Sequence, residues 1–242
     1  MENDKEMFDH WLSLQPKKIT VNSEVVVNQN PKELLLHMST ASDIKKFTPR
    51  MPENVAANDN TLVPRLCVSK DLAGCIRGHG RMHWDIYCGD SEYTIYGFEW
   101  ERVLMPNQNI AGIGVDAVGS EYWMVGYKEK YVYIDPVKVG RVRFTALTTV
   151  PGVKKEQPEF WLSGVIELNR DVAFFADGKD SVQLEAGTRY QFGFEPFIQK
   201  YPKHDERNFS LKAISHEDYN EAVNLRREKS PSKLKSLAWV KK

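Results

Sequence analysis

"KELLLHMSTASDIKKFTPRMPEN", residues 32–54, decides how the chain is read. Its apolar run "ELLLHMS" is short and continuous and is followed by Ser, Thr and Asp, which predicts a strand buried on both faces. That strand ends in two polar side chains, His37 and Ser39, and leads into a loop where Pro49 and Pro52 flank Arg50. A histidine inside an apolar strand is often only a hydrogen-bonded core residue, so its meaning depends on the segments that follow.

Turn chemistry separates short apolar runs along the rest of the chain. "PENVAANDNTLVP" (52–64) reads as a surface loop and "RLCVS" (65–69) as a second strand. In "SKDLAGCIRG" Ser69 is the expected N-cap of a short helix, with Asp71 in its first turn, where negative charge suits the helix dipole. "YTIYGFEW", "EYWMVG", "KYVYI" and "RVRFTALTTV" are further strands, rich in β-branched and aromatic residues. Beyond residue 150, "FWLSGVIEL", "DVAFFA", "SVQLE" and "RYQFGFE" predict a stack of hairpins, each with an apolar face too large to leave in water. "SHEDYNEAVNLRREK" is a helix, with Ser215 and Asp218 as a capping pair and Tyr219, Ala222 and Val223 on one side.

The chain has 242 residues, enough for one large core, and its 33 Lys and Arg balance 33 Asp and Glu. No overall field therefore selects nucleic acid as partner. The tail is the exception: from Arg226 onward seven Lys and Arg face a single acid, Glu228, and "LAWV" adds an apolar anchor. That arm is expected to be mobile or to dock an acidic partner. No run approaches the roughly 18 apolar residues of a membrane span, and the charged N-terminal segment lacks the apolar core of a signal peptide. Three closely spaced cysteines make a poor disulfide framework. These features predict a cytoplasmic protein that does not enter a membrane.

Cys67, Cys75, His79, His83 and Cys88 form the densest set of metal-capable side chains. Gly78 and Gly80 interrupt the helix that would align them, so no metal site is expected. P-loop, strict dinucleotide-fold, hydrolase-elbow and zincin motifs are absent from the sequence. "AGIGVDAVGS" (111–120) meets a loose glycine pattern, but no strand leads into it and no helix follows; it reads as a connecting loop.

The succession of a His-bearing strand, the "F.PR.PEN" loop and "PRLCVS..L.GCI" resembles the front half of ADP-ribosyltransferase-like domains, nearest to phage and mobile-element members. "GSEYWMVGYKEKYVYIDPVKVGRVRF" (119–144) resembles their later strand, which opens on a glutamate. The likeness covers residues 33 to 146. It implies an α+β fold with a split antiparallel β-sheet core over residues 1–150. A β-rich extension (151–212) would pack on that core, followed by a C-terminal helix and basic tail (213–242).

The resemblance further implies an NAD-consuming transferase acting on a protein, nucleic-acid or small-molecule acceptor. His37 would then bond a ribose hydroxyl of NAD, with Ser39 touching the same dinucleotide. Tyr96, or Tyr87 in its stead, would pack on the nicotinamide, and Arg50 or Arg65 would hold the phosphates. Glu121 would stabilise the positive charge that develops as the glycosidic bond breaks, a role open to a fixed carboxylate. The acid that arginine-modifying members carry two places earlier is here Gly119, which disfavours arginine as acceptor. His37, Tyr96 and Glu121 should converge in one cleft if the chain is an enzyme. The alternative is a non-catalytic binding protein built on the same scaffold.

Overall fold

The computed structural model describes residues 4–21, 23–51, 63–79, 92–106, 121–127, 134–149, 160–176, 181–194 and 209–228. Helices α1 (Asp4–Ser13) and α2 (Lys17–Val21) precede β1 (Ser23–Val27), β2 (Leu35–Ser39) and β3 (Arg65–Ser69). Helix α3 (Leu72–His79) leads to β4 (Glu92–Phe98), β5 (Arg102–Pro106), β6 (Glu121–Val125) and the long β7 (Val137–Thr149). Then come β8 (Phe160–Leu168), β9 (Val172–Phe175), β10 (Val182–Leu184), β11 (Arg189–Phe194), β12 (Phe209–Ile214) and α4 (His216–Glu228).

Ten of these strands form one sheet in the order β1-β5-β6-β3-β2-β4-β7-β8-β11-β12, while β9 and β10 make a separate ribbon. Every neighbouring pair in the sheet is antiparallel. The chain is thus mostly antiparallel β-structure with few helices, and the sheet runs without a break past residue 150 into β8, β11 and β12. Strands β9 and β10 were expected to stack with the other hairpins; they instead leave the sheet and pack on its face.

Side-chain alternation gives the sheet two distinct faces. On the first, Leu36, Met38, Tyr93, Ile95, Val142, Phe144, Ile166 and Phe192 pack against α3 and the β9–β10 ribbon. Farther along the same face, Trp123, Val125 and Leu104 meet Phe8 and Ile19. The spacing of Phe8, Trp11 and Leu12 gives α1 one apolar stripe, which accounts for its docking there. On the second face, Leu35, Leu66, Val68, Tyr96, Phe98 and Val103 are covered by Ile44, Phe47, Trp100 and Ile134. Helix α4 lies on this face too, over β7, β8 and β11.

Helix α3 differs from the expected start. It begins at Leu72, and Asp71, fully buried, is the cap: its Oδ1 accepts from the Gly74 amide at 2.6 Å. Ser69 ends β3 and accepts from the Asp71 amide at 3.3 Å. The other Asp71 oxygen accepts from the Ala176 amide at 3.1 Å, so one carboxylate ties the helix start to the end of β9.

"KYVYI" lies outside the described residues except for Ile134, which exchanges backbone hydrogen bonds with Phe47. The loops at 52–62 and 111–120 lie outside them as well. At the C-terminus α4 continues through Arg226 and Arg227, where the free arm was expected to begin; residues 229–242 are outside the described residues. No helix among the described residues is long and apolar enough to cross a membrane.

Candidate functional site

His37 sits where the sheet opens. Strands β2 and β3 are paired only at Leu36 and Ser69, leaving β3 carbonyls beyond that point without a partner in β2. The His37 ring fills the gap, its Nδ1 lying 2.9 Å from the Cys67 carbonyl oxygen. A carbonyl can only accept, so Nδ1 carries the proton. The Phe47 ring stands edge-on to the imidazole at 5.3 Å between centroids. Burial lowers the pKa of His37 below the ordinary histidine range, and Arg50 adds to that, while the bond to Cys67 opposes it.

Tyr96 is the direct cross-strand partner of His37, on the same face. It is fully buried. Its hydroxyl donates to the Ala41 carbonyl at 2.7 Å and accepts from the Ile44 amide at 3.0 Å. Phe47 lies against the ring at 5.2 Å. The tyrosine thus anchors the loop that follows β2, and that loop covers the face a planar ligand would stack on.

Glu121 is elsewhere. It pairs with Ser69 across β3 and β6, and Ser69 pairs with Leu36, so all three side chains share one face. His37, one residue on from Leu36, must face the other way. The Glu121 carboxylate accepts from the Trp123 indole Nε1 at 2.7 Å. The thiol of Cys67 is close enough to the Glu121 carboxylate and the Arg65 guanidinium to interact with both, and burial first, then Glu121, pushes its pKa well up. Such a thiol is protonated at neutral pH and no nucleophile.

Of the phosphate-binding candidates, Arg65 is buried, stacked over Trp123 at 4.3 Å from the ring centroid and donating to the Val63 carbonyl at 3.3 Å. It belongs to the Glu121 face. Arg50 is exposed and its backbone pairs with that of Arg65 across the opening. Ser39 shares the His37 face, and its hydroxyl accepts from the Ala41 amide at 3.2 Å. Tyr87, His83 and Cys88 lie outside the described residues. Among the described residues no three His, Cys, Asp or Glu side chains are gathered to hold a metal.

The structure therefore brings His37, Tyr96 and Ser39 to one face and Glu121, Cys67 and Arg65 to the other. The expected single cleft around His37, Tyr96 and Glu121 is not met. What sequence reading missed is a row of charges on the His37 face. Arg141 donates to Glu167 at 2.7 Å, Arg189 donates to the other Glu167 oxygen, and Glu92 approaches Arg141 and Arg143 at 3.4 and 3.9 Å. Their only signal in the sequence was charged residues at alternate places in otherwise apolar strands. Comparison with protein-family models, with curated proteins and with solved structures gave no match.

Proposed function

We propose that this chain is a non-catalytic binding protein that offers an edge of its sheet to a protein partner. The observation that carries this is the separation of Glu121 from His37 and Tyr96 by the sheet itself. Each of the three side chains serves the fold. His37 closes the opening between β2 and β3, Tyr96 anchors a loop, and Glu121 receives a buried indole. A dinucleotide lying on either face would meet Glu121 or the His37–Tyr96 pair, not both.

The binding surface is β1. It ends the sheet among the described residues, its sequence "SEVVV" favours extended pairing, and Val25 and Val27 are exposed on one face. A partner strand added there gains main-chain hydrogen bonds and two valine contacts. A photo-crosslinker at position 27 should trap a protein partner, and Val25→Lys with Val27→Lys should abolish capture while leaving the melting temperature nearly unchanged. Capture that persists in the double variant would place the interface elsewhere.

NAD consumption is the second reading, favoured by one observation: His37, Ser39 and Arg50, three of the residues the resemblance assigns to the dinucleotide, lie near where β2 and β3 separate. NAD turnover by the purified chain with lysate as acceptor tests it.

A further inference from the structure

Helices that belong to a core cover apolar faces. Helix α4 covers charge. Beneath it lie Arg141, Glu167 and Arg189 on three adjacent strands, with Glu92 and Arg143 beside them. The Glu167 side chain is only 22% exposed and that of Arg189 27%. Pairing outweighs desolvation in this row and holds the Glu167 carboxyl below its ordinary range, so the charges are satisfied within the sheet and do not depend on the helix for partners.

Over residues 216–224 the helix buries little. Tyr219 is its one buried side chain among those described, with Ala222 and Val223 partly buried, while His216, Glu217, Asp218, Asn220 and Glu221 are exposed. The Tyr219 ring rests 5.8 Å from the Arg189 guanidinium. Burial, then Glu167, raises the pKa of its hydroxyl, which puts the ring over the charged row.

The helix also carries its own start. The Ser215 hydroxyl accepts from the Asp218 amide at 3.0 Å, and the Asp218 carboxylate accepts from the Ser215 amide at 3.4 Å, a reciprocal cap that needs nothing from the sheet. Asn220 and His216, one turn apart, add a side-chain contact of 3.1 Å. Nothing in this cap is lost when the helix leaves the strands.

We propose that α4 is a releasable strap, which lifts from β7, β8 and β11 as one unit about Ser215 while the sheet stays intact, uncovering Glu167 and Arg189 beside the already half-exposed Arg141. Tyr219 is the latch. Release costs mainly the burial of Tyr219 and part of Ala222 and Val223, so the open form is reached at a fraction of the free energy of global unfolding.

Native-state hydrogen exchange on the full chain tests this, with Tyr219→Phe and Tyr219→Ala beside the wild type. The α4 amides should share one protection factor, at least about tenfold below that of β8, as expected of a separate opening unit. Tyr219→Ala should lower α4 protection by a further ~10-fold or more while β8 stays unchanged, and Tyr219→Phe should resemble the wild type. Equal protection in α4 and β8 of the wild type would overturn the proposal even if Tyr219→Ala fails to fold. So would α4 exchange that is graded from its ends and indifferent to Tyr219→Ala, the signature of fraying.

Discussion

His37 and Glu121 project from opposite faces of one antiparallel sheet, although the middle of β2 and the start of β6 are separated only by β3. Register alone imposes this. Ser69 pairs with Leu36 on one side and with Glu121 on the other, and a shift of one residue in either pairing would have put Glu121 on the His37 face, one strand removed from it.

Removing the Glu121 carboxylate should be felt as lost stability. Glu121→Ala leaves the Trp123 indole N–H without its acceptor at a fully buried residue, at a cost of about 1–3 kcal/mol. Glu121→Gln keeps a carbonyl oxygen and should cost less. Urea denaturation of the two variants checks the order; a Glu121→Ala chain as stable as the wild type would contradict it.

Tyr96→Phe removes a hydroxyl that donates to Ala41 and accepts from Ile44 in the interior. A loss of about 1–3 kcal/mol is expected, with faster amide exchange at Ile44. Unchanged stability together with unchanged exchange at Ile44 would show that the hydroxyl does not hold the loop.

His37 makes stability depend on pH. Its pKa is lowered in the folded chain, so below the unfolded value of about 6.5 the unfolded state binds more protons. Its contribution is complete above that value and is lost as pH falls from there through the lowered folded pKa. Stability measured against pH, wild type minus His37→Gln, should decline over that window as the pH is lowered. A flat difference would mean that His37 is not held neutral by burial.

The amino-acid pattern made β2, β3, β4, β6, β8 and β11 legible, because each is a short apolar or alternating run between turn residues. Strands β1 and β5 escaped notice: "SEVVV" and "RVLMP" are brief and border polar segments, and they become strands by pairing with each other across 75 or more residues of chain. The placement of Glu121 on the face opposite His37 and Tyr96 was not legible for a related reason. Residue type and order suited a dinucleotide site, but the face each side chain takes depends on strand neighbours distant in the chain. Asp71 as cap was closer to hand, since Asp serves as N-cap as well as Ser and stands immediately before the helix.

Gly164 is required by a close cross-strand approach. A Cβ there would lie 2.6 Å from two Phe192 ring atoms and 2.7 Å from the Arg143 carbonyl oxygen. Gly164→Ala should destabilise by about 1–3 kcal/mol through overpacking. Combining it with Phe192→Leu should cost less than the sum of the two single changes, because the smaller side chain relieves part of the clash. Strict additivity in denaturation would show that the ring does not set the requirement.

The claim that His37, Tyr96 and Glu121 hold the sheet together, with no part in NAD chemistry, is tested most directly by nicotinamide release. Purified wild-type chain and Glu121→Gln are incubated with NAD, with and without lysate as acceptor, and free nicotinamide is measured over time. Release at the buffer rate for both proteins is predicted. Release by the wild type above that rate, abolished by Glu121→Gln in a chain that remains folded, would contradict it and favour the transferase reading.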